Sequence, residues 1–231
     1  MGIPTAISYD VVSCGKRTGN VFEMLDAELF STVINGDLGN IDQHAKVLSD
    51  VAKTLHAAKG DPAFLPNMKA QFRGYINQMD GLLTPEDIAL LMRNLEFMPD
   101  SETCVHFDLH SSNIMIQNGE PIIIDMGDFS IGSYLFDVGL MYTLYGSEEL
   151  GLTFQATKIP NEIGPEIWKS FEKHYFAEKS DEERAYFHDN RYFFASLRVL
   201  FVITFLPHLR EDCLKMMKDI LLPRIRSAQA V

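Results

Sequence analysis

The chain has 231 residues, 46% of them hydrophobic and 11% aromatic, with a formal charge of −12 and a pI near 4.9. That apolar content suffices for a buried core and excludes a disordered chain, and the length suits one large domain, or one domain with a small appendage. The acidity excludes nucleic acid or an anionic membrane as a general partner, because no basic stripe faces phosphates; a nucleotide stays compatible if a divalent cation stands between it and the carboxylates.

The start, MGIPTAISYD, has no basic region followed by an apolar stretch, and Ala6 stands where myristoylation wants Ser or Thr. Neither a signal peptide nor an N-terminal lipid is therefore read there. The longest apolar run, from Val199 to Leu206, is eight residues, too short for a bilayer. Cys14, Cys104 and Cys213 are odd in number, far apart and without a C-x-x-C. They predict reduced, buried structural thiols and a cytoplasmic protein.

TAISYDVV and NVFEML are β-compatible, and SCGKRTG between them, with Gly15 and Gly19, predicts a hairpin turn. GKRT is not a phosphate loop, since the earlier glycine of that motif would fall at Asp10. From Asp26 the pattern turns helical. In DQHAKVLSDVAKTLHAAKG, residues Ala45, Leu48, Val51, Ala52, Leu55 and Ala58 recur at three- and four-residue spacing, and Gly60 ends the helix. His56 beside that stripe is expected to pack or hydrogen-bond rather than bind a ligand. MKAQFRGYINQMDGL and TPEDIALLMRNLEFM predict two more helices. The second opens with Thr84 as cap, Pro85 in the first turn and Glu86 at the positive end of the dipole.

Further helical periodicity follows in SYLFDVGLMYTLYG, GPEIWKSFEKHYFAEK, DEERAYFHDNRYFFASLRVLFVITFLPHL and REDCLKMMKDILLPRIRSA. Phe187, Tyr192, Phe193 and Phe194 are expected in the core, with a cleft-lining role for some left open. Asp181, Glu182 and Glu183 read as a solvated helix start, or else as part of an acidic cleft for a cationic ligand.

The polar stretch HFDLHSSNIMIQNGEPIIIDMGDFSIGSYLFDVG, from His106 to Gly139, carries the chemistry. Asn118-Gly119 is a tight-turn signal, so NIMI and PIIID fold back on each other. A two-residue turn pairs Asn113 with Ile124; a three-residue loop pairs it with Asp125. Either register brings Asn113 and Asp125 to the open end of the hairpin, beside the loop of His106, Asp108 and His110. An amide oxygen and a carboxylate there make a partial shell for Mg2+. Asp108 then stands beside the metal, where a carboxylate can orient an acceptor hydroxyl and take its proton. Two other readings are a hydrolytic metal centre on His106, Asp108 and His110, and aspartates that only cap helices and turns.

The order H-x-D-x-x-x-x-N, hairpin, I-D-x-G resembles protein-kinase-like enzymes. It is closer still to the aminoglycoside phosphotransferase and choline kinase group, which favours H-x-D-L-H-x-x-N-I and I-D-x-G-D-x-x-x-G-x-x-x-x-D. Here these read HFDLHSSNI and IDMGDFSIGSYLFD. IPTAISYD with GNVFEMLD resembles the last small-lobe strands and hinge, and LSDVAKTLHAAK an early large-lobe helix. The resemblance implies an α+β, protein-kinase-like fold. Residues 1–25 would be a remnant of the small-lobe sheet and hinge, and 26–231 a mostly helical large lobe with a catalytic β-hairpin.

It further implies a phosphotransferase that moves the γ-phosphate of ATP or GTP to a hydroxyl of a sugar, amino alcohol or aminoglycoside. Asp108 would be the catalytic base, and Asn113 and Asp125 the Mg2+ ligands. His106 and Asp137 would support the catalytic loop, with His110 helping to hold it. Met115 and Ile124 would floor the base pocket, and the backbone from Glu23 to Leu25 would read the base edge. Phe107 departs from a position often Gly or Asn in the group, and Ser133-Tyr134 from a common Asp-Pro. The group also implies an upstream glycine-rich loop, strand lysine and helix glutamate, for which Lys16 and Lys46 are no substitutes. The expectation is an N-terminally incomplete kinase, with a non-catalytic nucleotide- and metal-binding module as the alternative. An exposed strand edge leaves homodimerisation open.

Overall fold

The computed structural model describes residues 2–228; Met1 and 229–231, at the outer ends of the two segments assigned above, lie outside the described residues. Strands β1 (Ser8–Cys14) and β2 (Arg17–Phe22) pair antiparallel around Gly15, whose φ of 62° a glycine adopts without strain. Gly19 is not in that turn; it pairs with Val12 inside the ribbon. Every residue of both strands is exposed. Cys14 is therefore exposed, against the expectation of a buried thiol, while Cys104 is buried and Cys213 half-buried.

The helical pattern does not begin at Asp26. Glu28–Leu29 forms a short strand, β3, and the first helix, α1, runs Phe30–Gly36. The cause is tertiary: β3 completes a sheet in the order β3-β5-β6, where β5 is Ile114–Gln117 and β6 is Glu120–Ile123, and pairing outweighs local preference. On the other edge, Ile123 N donates to Pro4 O at 2.8 Å and Thr5 bridges Ile123 in parallel. The segment before the helices thus grips both edges of the hairpin expected to carry the site.

Helices α2 (Ile41–Ala57), α3 (Met68–Asn77) and α4 (Pro85–Phe97) follow the apolar stripes. Ala45, Leu48, Val51, Ala52 and Leu55 are all buried, and Thr84 accepts the Asp87 amide as the expected cap. Strand β4 (Cys104–Val105) pairs with β7 (Ser130–Ile131). Then come α5 (Leu135–Met141), a wide π-type turn at Tyr142–Gly146, α6 (Thr153–Thr157), α7 (Gly164–Tyr175) and α8 (Asp181–Phe205).

Ser180 and Glu183 form a capping box at the start of α8, and Glu183 also takes Lys179 Nζ at 3.0 Å. Phe187, Phe193 and Phe194 are core, and Tyr192 is half-buried. The pattern carried this helix through Leu209, but it stops at Phe205. Pro207 has no amide to donate, and the chain bends by 117° into α9 (Arg210–Met216), a second π-type turn and α10 (Leu222–Ala228). Among the described residues no single helix is long and apolar enough to cross a membrane.

Helices α5 and α8 meet at Gly139, where an added Cβ would stand 2.5 Å from Phe194 Cβ and 3.2 Å from its carbonyl carbon. Gly139→Ala is expected to cost about 1–3 kcal/mol of stability through overpacking, read from the urea midpoint. Gly74→Ala in α3, where a Cβ meets nothing within 4 Å, is expected to gain about 0.5–1 kcal/mol in the same assay.

Candidate active site

Polar side chains converge where the hairpin opens. Asn118 (φ 52°) and Gly119 (φ 84°) make a two-residue turn, with Gln117 opposite Glu120 and Ile114 opposite Ile123. Extending that register by one residue sets Asn113 opposite Ile124, and Ile124 N donates to Asn113 O at 3.0 Å. The tighter of the two registers is the one found, so Asp125 lies just beyond the pair. Its backbone is left-handed, at φ 59° and ψ 56°, a conformation that non-glycine residues adopt at a cost of roughly 1–3 kcal/mol.

Asp137 holds the loop that precedes the hairpin. Its carboxylate is fully buried on α5. It accepts the amides of His106 at 2.9 Å and Phe107 at 2.6 Å, and His56 Nε2 lies 3.0 Å away. The Tyr175 hydroxyl stands 2.7 Å from His56 Nδ1. A neutral His56 ring satisfies both contacts, with Nε2–H donating to Asp137 and Tyr175 donating to Nδ1. His56 hydrogen-bonds rather than ligates, as its place beside the α2 stripe predicted.

His106 is also fully buried. Its Nδ1 accepts the Asp108 amide at 3.1 Å, so Nε2–H donates to the Ile124 carbonyl at 2.9 Å. This ring ties the loop to the open end of the hairpin. Both its nitrogens are spent on backbone, and no group of three His, Cys, Asp or Glu among the described residues is placed to hold a metal ion. The hydrolytic centre on His106, Asp108 and His110 is thereby overturned.

Phe107 has φ 63°. Its position asks for the left-handed backbone that Gly or Asn adopts readily and a bulky residue does not. Phenylalanine holds it because the ring is buried, edge-on to Phe72 at 5.1 Å and to Phe201 at 5.3 Å.

Asp108 is surrounded by donors. Asn113 Nδ2 donates to its backbone oxygen at 2.8 Å and to Oδ2 at 3.1 Å, and Arg198 Nη2, from α8, stands 2.7 Å from Oδ1. With Nδ2 committed to Asp108, the Asn113 amide oxygen is the end left for a cation. His110 Nδ1 accepts the Ser112 amide at 3.2 Å and so supports the turn that carries Asn113. Burial pushes the His110 pKa down to about 4 against the pull of Asp108, so the ring is neutral at neutral pH.

Two site residues escaped the sequence reading. Arg198 follows no motif spacing. Asp128 stands in the quoted IDMGD, where its acidity and place three residues past Asp125 were the available signal. Burial raises its carboxyl pKa, and it feels the charges of Arg198, Asp108 and Asp125.

A cavity of about 700 Å3 is lined by Glu23, Leu25, Met115, Ile124 and Asp125, among others. The four residues assigned to base binding therefore border one space that also reaches a candidate metal ligand. Glu23 N–H already donates to Ile7 O at 2.9 Å, and Glu23 Oε1 accepts the Ile7 amide at 2.8 Å. The Glu23 carbonyl and the Leu25 amide are what this segment can offer a base edge.

Residues 21–168 match the model of a family described as APH, phosphotransferase enzyme family. The fold is similar to a thermostable mutant of aminoglycoside phosphotransferase APH(4)-Ia, 15% identical with a TM-score of 0.66, covering 99% of this chain and 79% of that one. An amicoumacin kinase in complex with AMP-PNP, Ca2+ and Ami is 17% identical with a TM-score of 0.64, covering 96% and 74%. A Plasmodium vivax ethanolamine kinase is 15% identical with a TM-score of 0.62, covering 98% and 69%. No curated protein sequence matches the chain. At these identities the likeness establishes the fold, mostly helical with small sheets and protein-kinase-like, as expected.

Phe107→Gly relieves strain of about 1–3 kcal/mol but removes aromatic packing worth about 3–5 kcal/mol. The expected net effect is a loss of about 2 kcal/mol on urea unfolding. For His110, the unfolded chain takes up a proton near the ordinary value of 6.5 and the folded chain only near 4. Its contribution to stability is full above pH 6.5 and is lost as pH falls toward 4. Urea midpoints should decline across that window, and His110→Gln should flatten the decline.

Proposed function

The chain belongs to the phosphotransferase enzyme family, and from that premise we propose that it transfers the γ-phosphate of ATP or GTP to a hydroxyl of a small molecule. The observation that carries the reading is the hydrogen bond from Asn113 Nδ2 to Asp108 Oδ2. It joins the proposed base to a proposed metal ligand and leaves the amide oxygen as the end that would face a cation. That oxygen and the Asp125 carboxylate are the hard donors that Mg2+ prefers. Mg2+ bound there would neutralise charge on the nucleotide phosphates. The presence of AMP-PNP and Ca2+ in the amicoumacin kinase complex supports a nucleotide and a divalent cation as its companions.

In this mechanism Asp108 receives the proton of the acceptor hydroxyl. The acceptor oxygen bonds to the γ-phosphorus while the bond to the bridging oxygen breaks, and a nucleoside diphosphate leaves. A carboxylate has about four lone-pair sites; Asn113 and Arg198 approach one oxygen each, so lone pairs remain for the hydroxyl. His106, Asp137 and His110 hold the loop without touching substrate. Met115 and Ile124 would floor the base, and the Glu23 carbonyl with the Leu25 amide would read its edge.

A second reading is a binding module that holds nucleotide and metal without transfer. It is supported by the two lysines weighed above as substitutes for the strand lysine: Lys46 is paired with Asp50 at 2.5 Å, and Lys16 stands in the exposed β1–β2 turn. Neither lines the cavity at Asp125.

Mg2+-dependent nucleotide consumption across a panel of alcohols separates the two. Under the first reading, Asp108→Asn should lower turnover by about a hundredfold to ten-thousandfold with nucleotide affinity retained. Asn113→Ala and Asp125→Ala should weaken Mg2+-nucleotide binding in calorimetry. Unchanged turnover in Asp108→Asn would end the assignment of the base. Tight binding with no consumption on any acceptor would favour the module.

A further inference from the structure

Where α8 bends at Pro207 into α9, a cavity of about 240 Å3 opens between the bend, the π-type turn after α5, and α6. Its walls include Leu144, Leu152, Val199, Val202, Leu206 and Met216. Arg198 lines the same cavity and lies 2.7 Å from Asp108 Oδ1, so one side chain touches both the space and the proposed base. Arg198 Nη1 and Asp108 Oδ1 are both buried with no hydrogen-bond partner among the described residues, Arg198 Nη2 meeting that oxygen only as an ion pair. A buried donor in that state calls for an oxygen acceptor. Asp212, also in the lining, is exposed and stands at the rim.

We propose that this cavity is the acceptor pocket, and that it takes an alcohol on a compact apolar body, with the hydroxyl turned to Arg198 and Asp108. The inference rests on the phosphotransferase reading and names its substrate class. Three observations select that class. The volume falls below the roughly 300–1,000 Å3 of ordinary ligand pockets, which suits one ring or a short branched chain rather than several linked sugars. The walls are mostly hydrocarbon, with Thr143, Gln155 and Asp212 as the uncharged and acidic polar members, and over most of their area would strip water from ammonium groups without replacing it. The side chain shared by the cavity and the base is a guanidinium, which has only donors and so matches an oxygen rather than an ammonium. The acidic start of α8 supplies no counterweight. Asp181 and Arg198 are seventeen residues apart on one helix, roughly 25 Å at 1.5 Å per residue.

Calorimetry on the full chain with cinnamyl alcohol as the apolar probe and kanamycin as the polycationic one tests the assignment. Mg2+-nucleotide binding is measured separately. Cinnamyl alcohol should bind and kanamycin should not. Val202→Phe, which fills the cavity, and Val202→Asp, which charges its wall, should each weaken cinnamyl alcohol by at least about tenfold. Val202 is only half-buried, and thermal melting of both variants identifies one that is folded. Kanamycin binding in place of cinnamyl alcohol overturns the proposal, as does alcohol binding that ignores both substitutions. Nucleotide binding without alcohol binding overturns the pocket assignment alone. Alcohol binding that the variants weaken, with no nucleotide binding, overturns the phosphotransferase reading and the acceptor role while supporting the ligand class.

Discussion

One buried carboxylate organises the site. Asp137 gathers two consecutive loop amides and an imidazole around a charge withdrawn from water. A desolvated carboxylate is tolerable only with its hydrogen bonds made, and each donor left without it would be costly in turn. The arrangement ties three distant pieces together: α5, which bears the carboxylate, α2, which brings His56, and the loop that leads to Asp108. Phe107 can stay at a positive φ because both sides of its peptide are pinned, by Asp137 at the amide and by the aromatic core at the ring.

The region around Asp108 then divides by chemistry. On one side are oxygen donors and a 700 Å3 cavity bounded by residues of the segment 5–25 and the hairpin. On the other are a guanidinium and a mostly apolar space inside the bend of α8. Asn113 and Arg198 each take one oxygen of the same carboxylate, so its rotation is restricted from both sides. The second side depends on where Pro207 breaks a helix.

Much of this was legible in the sequence because it is encoded locally. Asn118-Gly119 dictated a turn, the turn dictated a register, and the register brought Asn113 and Asp125 together. Thr84 announced its helix start for the same reason. Arg198 was not legible, since its role comes from the crossing of α5 and α8 at a glycine and no spacing reports it. Strand β3 was missed because two residues form a strand only when a partner edge is present. The oddity of Phe107 could be noticed from sequence; its explanation needed a dihedral angle and three neighbouring rings.

Pro4–Thr5 and β3 occupy the two edges of the hairpin that carries Asn113. A strand with both flanks satisfied offers no template for another chain to extend. Unsatisfied flanks belong instead to the β1–β2 ribbon, which also exposes Tyr9, Val11, Val21 and Phe22. The fold therefore separates the element most open to intermolecular strand pairing from the element whose register sets the chemistry. Association through the ribbon could proceed without shifting Asn113 by a single residue.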